Sequence, residues 1–362
     1  RLYKSDMQRL INNYIRSLLQ PSKPTYITVY ANNVCQLRCD MCFYWDAMQE
    51  QSREITVEQA KLLGASVKGL VQLSITGGEP TLRKDLPEFI TALCESSETA
   101  KCSVITNGFQ TQHIVNQARE ILMQNPKVSF RFCVSIDGTE KVHDRIRGIK
   151  NSYKRAIKTF QAFKEMQTEF KNLHTDINTC VSAWNYDDFW DFVPEVKKLQ
   201  PTHHTVTIAR GITKVPGATT IPTKAVAKVM AYAKGQQPTS IEQTLTARVR
   251  DVMYDEIARI NLENKHKYNC TAGNRYVTVH QDGRVNSCEI LETIHPNQTS
   301  LLGDLNNYDW DLQKILDSVR AEQVRKFIKD KKCFCTFECA KTTDVVYNPK
   351  LIVKAVQRSL TQ

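Results

Sequence analysis

From Thr25 to about Arg210 the chain switches repeatedly between two hydrophobic periods. Short apolar, β-branched runs alternate with longer segments whose apolar positions recur every three or four residues. The runs YITVYA, VQLSIT, KCSVITN, SFRFCVSID, HTDINTCVS and HTVTIAR predict six strands. Between them, TVEQAKLLGASVKGL, LPEFITALCESS, HIVNQAREILMQ, SYKRAIKTFQAFKEMQ and FWDFVPEVKKL predict five helices. Such alternation argues a parallel sheet with helices outside it. Right-handed crossovers then allow an open doubly wound sheet or a barrel, full or partial. Periodicity alone does not choose between them. In either arrangement, ligands gather at the C-terminal ends of the strands.

The loops at that rim carry chemistry. The first strand is followed by CQLRCDMC, which sets Cys35, Cys39 and Cys42 at the spacing C-x3-C-x2-C. TGGEP, TNG and SIDG follow strands two, three and four. Paired Gly77 and Gly78 let backbone approach a ligand closely. Zinc takes four protein ligands in a structural site and three in a catalytic one. The histidines nearest to the cysteine loop in sequence are His113 and His143. An iron–sulfur cube held by three thiolates solves the problem differently, because it leaves one iron open to a non-protein ligand.

The rest of the sequence bounds size and partners. A chain of 362 residues suits one large α/β domain with an appendage, or two domains. The net charge of +11 suits a Lys-rich solvated surface or, as the sharper reading, an anionic partner. The basic residues are spread out, without interleaved aromatics, so nucleic acid is not expected. No apolar run approaches the ~20 residues of a membrane span, and no secretory signal is visible, so a cytoplasmic location is expected. The amphipathic N-terminal segment LINNYIRSLL is expected to pack on the open side of a barrel, with membrane-surface contact the lesser reading. Cys94, Cys102, Cys133 and Cys180 are isolated and read as small buried hydrophobes. Cys270, Cys288, Cys333, Cys335 and Cys339 form a second group, read as metal ligands. His143, His174, His203, His204 and His280 fall in loops and strand ends and read as structural first. ITKVPGATTIPTK reads as a linker or surface loop, RYVTVHQDGRVNSC as a β-hairpin, and DWDLQKILDSVRAEQVRKFIKD as a helix.

Joined together, the C-x3-C-x2-C loop after strand one and the GGEP loop after strand two resemble the radical S-adenosylmethionine (radical SAM) superfamily. The resemblance implies an α/β fold: a partial (β/α)6 TIM-like barrel. It implies that Cys35, Cys39 and Cys42 hold three irons of a 4Fe–4S cluster, with SAM chelating the fourth. Gly77, Gly78 and Glu79 would hold the methionyl amine, and Thr106 and Asn107 would line the same rim. Ser135 and Asp137 stand where the family places ribose and carboxylate contacts, and Arg147 would meet the SAM carboxylate. Phe43, Tyr44 and Trp45 would pack on adenine or shield the iron, and Asn178 and Arg210 are further candidates. The implied chemistry is reductive cleavage of SAM to a 5′-deoxyadenosyl radical that abstracts hydrogen from an unactivated C–H bond. It needs an external one-electron donor of the flavodoxin or ferredoxin type.

Cys270, Gly283 and Cys288 read C-x12-G-x4-C, which resembles the opening of the SPASM and twitch domains. The last three cysteines read C-x-C-x3-C and do not complete the seven-cysteine SPASM pattern. A small twitch-like domain, a β-hairpin plus a helix with one auxiliary 4Fe–4S cluster, is therefore expected. Its ligands would be Cys270, Cys288 and two of Cys333, Cys335 and Cys339; a two-cluster SPASM domain and structural zinc stay open. The expected organisation is an N-terminal helical segment (1–24), the barrel (25–235), a connecting helix (236–265), the auxiliary domain (266–345) and a tail (346–362). The resemblance implies the chemistry and not the substrate. The first reading is an oxidoreductase acting on a small molecule (a sugar, an amino-sugar or a lipid-type intermediate), anionic or nucleotide-linked to suit the charge, with the auxiliary cluster as electron acceptor. The alternative is a peptide-modifying maturase making thioether, carbon–carbon or epimerised products. Little sequence precedes strand one, so a leader-recognition domain is expected to be absent in cis. A non-catalytic iron–sulfur protein is the third reading. Glu289, beside Cys288, is a candidate substrate-facing residue.

Overall fold

A computed structural model describes residues 2–50, 52–236, 241–330 and 333–360, with side chains from Gln8 onward and, after the break at 237–240, from Leu245. The ends of the expected connecting helix and tail at 237–240 and 361–362 lie outside the described residues. Six strands stand side by side in chain order, all parallel: β1 (Tyr26–Tyr30), β2 (Gln72–Thr76), β3 (Lys101–Thr106), β4 (Ser129–Ser135), β5 (Leu173–Val181) and β6 (His203–Ile208). The connecting helices follow the sequence periods. After α1 (Leu2–Leu19) come α2 (Val57–Ser66), α3 (Leu86–Ser96), α4 (Thr111–Gln124), α5 (Glu140–Arg147), α6 (Ser152–Met166) and α7 (Phe189–Leu199). Local chemistry sets their ends. In α2, for example, Thr56 and Gln59 form a reciprocal capping box.

Strand pairing separates two faces. Ile27, Leu73, Cys102 and Phe130 share one register row, lie under the helices and are fully buried. One residue along, Thr28, Ser74, Ser103 and Arg131 share the opposite row. That face is polar and hydrogen-bonded. Tyr26 Oη meets Ser74 Oγ at 2.8 Å, and Ser74 Oγ meets Ser103 Oγ at 2.6 Å.

The sheet does not close. At its β6 edge, Val206 N–H donates to the Tyr254 hydroxyl at 3.4 Å and Ile208 N–H donates to Glu338 Oε1 at 3.3 Å. These side chains come from α9 (Ile241–Glu263), which follows α8 (Thr223–Lys234), and from the C-terminal region. They satisfy donors that an open edge would leave bare. The other edge is extended: β7 (Tyr276–Val279) pairs in parallel with β1, Tyr26 opposite Tyr276. The hairpin is therefore a continuation of the barrel sheet. It runs through β8 (Arg284–Asn286) to a third strand, β9 (Leu301–Asp304). Gly283 turns it at φ +96°, a conformation that favours glycine.

Several expectations change. The segment 309–330 is not one helix. After α10 (Leu291–Ile294), it forms α11 (Leu312–Leu316) and α12 (Val319–Lys329), because Ser318 stops one and caps the other through Ala321 N–H. The tail region carries α13 (Glu338–Tyr347) and α14 (Pro349–Leu360). The N-terminal helix α1 does not pack on the open side. Asn13 Nδ2 donates to Leu70 O and Glu98 O, both at 2.8 Å, so α1 lies across the loops that lead into β2 and β3, at the opposite end from the cysteine loop. Its Ile11, Ile15, Leu18 and Leu19 are exposed. Among the described residues no helix is long and apolar enough to cross a membrane.

Candidate functional site

The first cysteine loop has no regular structure of its own and is held by backbone from two directions. Arg38 N–H donates to Arg147 O at 3.1 Å and Asp40 N–H to Ile146 O at 2.9 Å. On the other side, Lys214 N–H donates to Cys42 O and Val215 N–H to Asp40 O, both at 2.9 Å. The Pro- and Gly-rich segment read as a linker or surface loop is thus a strap on this loop. Cys35, Cys39 and Cys42 are free thiols and electrostatic neighbours of one another. Burial pushes all three up, Cys35 to about 12 and Cys42 to about 11. Two donors favour the thiolate instead: Asn107 Nδ2 lies 3.8 Å from Cys35 Sγ and Arg147 Nη1 lies 3.6 Å from Cys39 Sγ.

The glycine pair rests on the segment that leads into Cys35. Gly78 N–H donates to Asn32 O at 3.2 Å and Glu79 N–H to Val34 O at 2.7 Å. A Cβ on Gly77 would lie 2.5 Å from Asn32 O, and one on Gly78 would lie 2.2 Å from Val34 O. Gly77 also sits at φ +142°. Asn32 Nδ2 donates to Glu79 O at 2.8 Å, while Asn32 Oδ1 is buried without a partner. An acceptor left open beside a cradle that only glycine fits suits an ammonium group. Glu79 is committed elsewhere. Its carboxylate accepts from Thr81 Oγ1 (2.6 Å), Thr106 Oγ1 (2.8 Å) and Asn107 N–H (2.7 Å), and burial still pushes its pKa up. Glu79, Thr106 and Asn107 therefore form one network that aims Asn107 at Cys35.

The remaining rim residues are partly brought together. Asp137 Oδ2 accepts from Arg147 Nε at 2.6 Å and its Oδ1 accepts from Cys180 N–H at 2.9 Å. Burial alone would lower the Arg147 pKa, but Asp137 and Cys39 drive it upward. Ser135 is buried at the end of β4, opposite Asn178 in register. Arg210 is not left free for a ligand carboxylate: Nη1 donates to Glu338 Oε2 at 2.7 Å and Nη2 to Glu289 Oε2 at 3.2 Å. Its guanidinium lies over Phe43 at 5.5 Å and Phe337 at 4.6 Å, so it joins the two cysteine regions. Tyr44 turns toward the hairpin, donating to Gln281 Oε1 and packing on Tyr30 at 4.5 Å. Trp45 lies under Lys214 and Arg38. Glu289 accepts from Tyr30 Oη at 3.0 Å.

The second group divides four to one. Every pair among Cys270, Cys288, Cys333 and Cys335 interacts electrostatically. Burial and these mutual effects push Cys270 and Cys288 to about 12 and Cys335 to about 11. Cys339 instead lies among Tyr26, Glu289, Arg210 and Glu338. A buried lysine faces the four: Lys341 pairs with Asp344 and donates to His266 Nε2 at 3.2 Å, while His266 accepts from Cys335 N–H at 3.1 Å. Asp344 in turn accepts from Thr271 N–H at 2.7 Å, next to Cys270. Among the described residues, no three His, Cys, Asp or Glu side chains converge on a single-ion site. Thiolates that each take a separate iron of a cube stand farther apart than ligands sharing one ion. The donor sets, three thiols in one and four in the other with His266 Nε2 engaged by Cys335 N–H and Lys341, fit iron–sulfur clusters.

Asn32, Lys341 and the Lys214 strap were missed in the sequence. A polar Asn-Asn directly after a strand was the available signal for the first. His143, His204 and His280 are structural in placement. His204 sits on the helix face between Thr179 and Tyr232, His280 stacks on Tyr30 at 5.0 Å, and His143 accepts from Asp137 N–H at 3.1 Å.

A family model described as the radical SAM superfamily matches residues 29–195. A GTP 3',8-cyclase from Vibrio atlanticus is 29% identical over 138 residues, covering 35% of this chain and 41% of that protein. The sporulation killing factor maturation protein SkfB from Bacillus subtilis is 26% identical over 184 residues, covering 50% of this chain and 42% of that protein. The matched region is thus about two fifths of either relative. Among solved structures, Streptococcus suis SuiB bound to precursor peptide SuiA superposes with a TM-score of 0.60 at 18% identity, over 87% of this chain and 70% of SuiB. That likeness of fold extends past the family match into the C-terminal cysteine region. The match lies over the strands and loops that carry the cysteine triad and the glycine cradle, so residues 29–195 are a radical SAM superfamily domain.

Proposed function

We propose that the chain is a two-cluster radical SAM oxidoreductase. Cys35, Cys39 and Cys42 hold the SAM-binding cluster, and Cys270, Cys288, Cys333 and Cys335 hold one auxiliary cluster. The observation that carries the reading is the pair of thiol sets, one of three and one of four, with Cys339 set apart. Bound together, the first cluster and SAM supply a carbon radical able to take hydrogen from a C–H bond, and a fully thiolate-ligated second cluster supplies an electron acceptor. The protein's own part is placement. The Gly77–Gly78 cradle and Asn32 Oδ1 receive the methionyl ammonium, and Asn107 and Arg147 balance charge on Cys35 and Cys39. Arg210, Glu289 and Glu338 fill the space between the two cysteine regions and keep them in fixed relation. The polar concave face of the sheet receives a small, polar substrate.

A peptide substrate is the second reading. Similarity to SkfB over half of the chain favours it, and SuiB, alike in fold, is known with its precursor peptide. The test is anaerobic reduction with dithionite in the presence of SAM. Formation of methionine and 5′-deoxyadenosine is expected, and absence of both with a full iron complement contradicts the reading.

A further inference from the structure

Helix α9 covers the open side of the sheet, with Tyr254 against the β6 edge. One turn earlier, Arg250 brings its guanidinium to the concave face, beside Arg131, Asp176, His174 and His203. Register places these residues on adjacent strands: Arg131 of β4 opposite His174 of β5, and Asp176 of β5 opposite His203 of β6. Both carboxylates near Arg250 are already committed. Asp176 pairs with Arg131, and Asp251 pairs with Arg248. Arg250 Nε and His203 Nε2 are buried without hydrogen-bond partners, and so is Asp176 Oδ1.

An arginine half-buried beside another arginine, its Nε unpartnered and its neighbouring carboxylates already paired with other arginines, is costly. Burial and then Arg131 pull the Arg250 pKa down to about 10, while the same surroundings keep His174 and His203 neutral. A folded chain tolerates such an arrangement when a ligand completes it, and a guanidinium fork is matched best by an oxyanion. We propose that this floor of the concave face is an oxyanion site. Arg250 and Arg131 hold a carboxylate or phosphate group of the substrate, His203 donates or accepts beside it, and Asp176 Oδ1 takes a neighbouring N–H or O–H. Arg131 lies four residues before Ser135 on β4, which is about 13 Å at the rise of a strand. The substrate is therefore elongated: anchored by its anionic end at the floor, it presents the reacting carbon at the rim. As a statement about substrate, this rests on the function proposed above.

The test is isothermal titration calorimetry of the anaerobically reconstituted protein with inorganic phosphate and, separately, with acetate. At least one binds wild type. Arg250→Gln weakens that binding about tenfold or more. Asp176→Asn, which removes the competing carboxylate, strengthens it, a change that loss of structure cannot imitate. Phosphate binding alone assigns a phosphoryl group, and acetate binding alone a carboxylate. Binding of neither probe, or absence of either variant's shift, overturns the proposal. SAM cleavage is measured on the same wild-type sample. Cleavage without anion binding overturns the oxyanion site and leaves the proposed function standing; anion binding without cleavage does the reverse.

Discussion

Tyr26 donates its hydroxyl hydrogen to Cys339 Sγ at 3.2 Å, across the junction of the barrel and the C-terminal region. The same hydroxyl reaches Ser74, so Cys339 belongs to the polar lining of the sheet and not to the four-thiol group. Cys339→Ala is expected to keep the full iron complement after anaerobic reconstitution. Cys333→Ala and Cys335→Ala are each expected to lose about four irons. Iron analysis with electron paramagnetic resonance of the reduced proteins reads the difference.

Gly78→Ala would place a methyl group 2.2 Å from Val34 O, on the segment that leads into Cys35. Backbone cannot yield by that much without moving the cradle. SAM affinity, measured by equilibrium dialysis, is expected to fall at least about tenfold while the four-thiol cluster stays loaded. Unchanged SAM affinity would remove the cradle from the account.

The Arg147–Asp137 pair is almost wholly buried. Arg147→Met leaves the Asp137 carboxylate with the Cys180 N–H as its remaining donor. A stability loss of about 3–5 kcal/mol in urea unfolding is expected. Adding Asp137→Asn to Arg147→Met should recover much of it, because no buried charge is then stranded.

Several buried histidines make stability depend on pH. Burial lowers His204 from 6.5 to about 3 and His143 and His280 from 6.5 to about 4. The unfolded chain then binds protons more readily than the folded one. Their contribution is complete above pH 6.5 and is lost as pH falls toward 4 and then 3. Urea midpoints are expected to decline steadily below about pH 6.5, and His204→Gln should flatten that decline.

The six parallel strands were legible because short apolar, β-branched runs alternate with segments of helical period. Helix α5 was not read as a helix, since only Val142, His143 and Ile146 of its eight residues are buried. Strand β9 pairs only with β8 and has no meaning without the hairpin. The thiol sets and the glycine pair were legible as spacings. Which thiol of C-x-C-x3-C stands apart was not, because Cys339 lies on α13 whereas Cys333 and Cys335 precede it. Arg210 looked available as a ligand contact because its partners Glu289 and Glu338 lie 79 and 128 residues away in sequence. Contacts of that range leave no local signal.

The measurement that tests the central claim most directly is the iron and sulfide content, with Mössbauer spectra. Anaerobically reconstituted wild type is compared with the Cys35→Ala/Cys39→Ala/Cys42→Ala variant. About eight irons in wild type and about four in the variant, all in cubane clusters, are predicted. About four in wild type and almost none in the variant would contradict the account, because the C-terminal thiols would then hold no cluster.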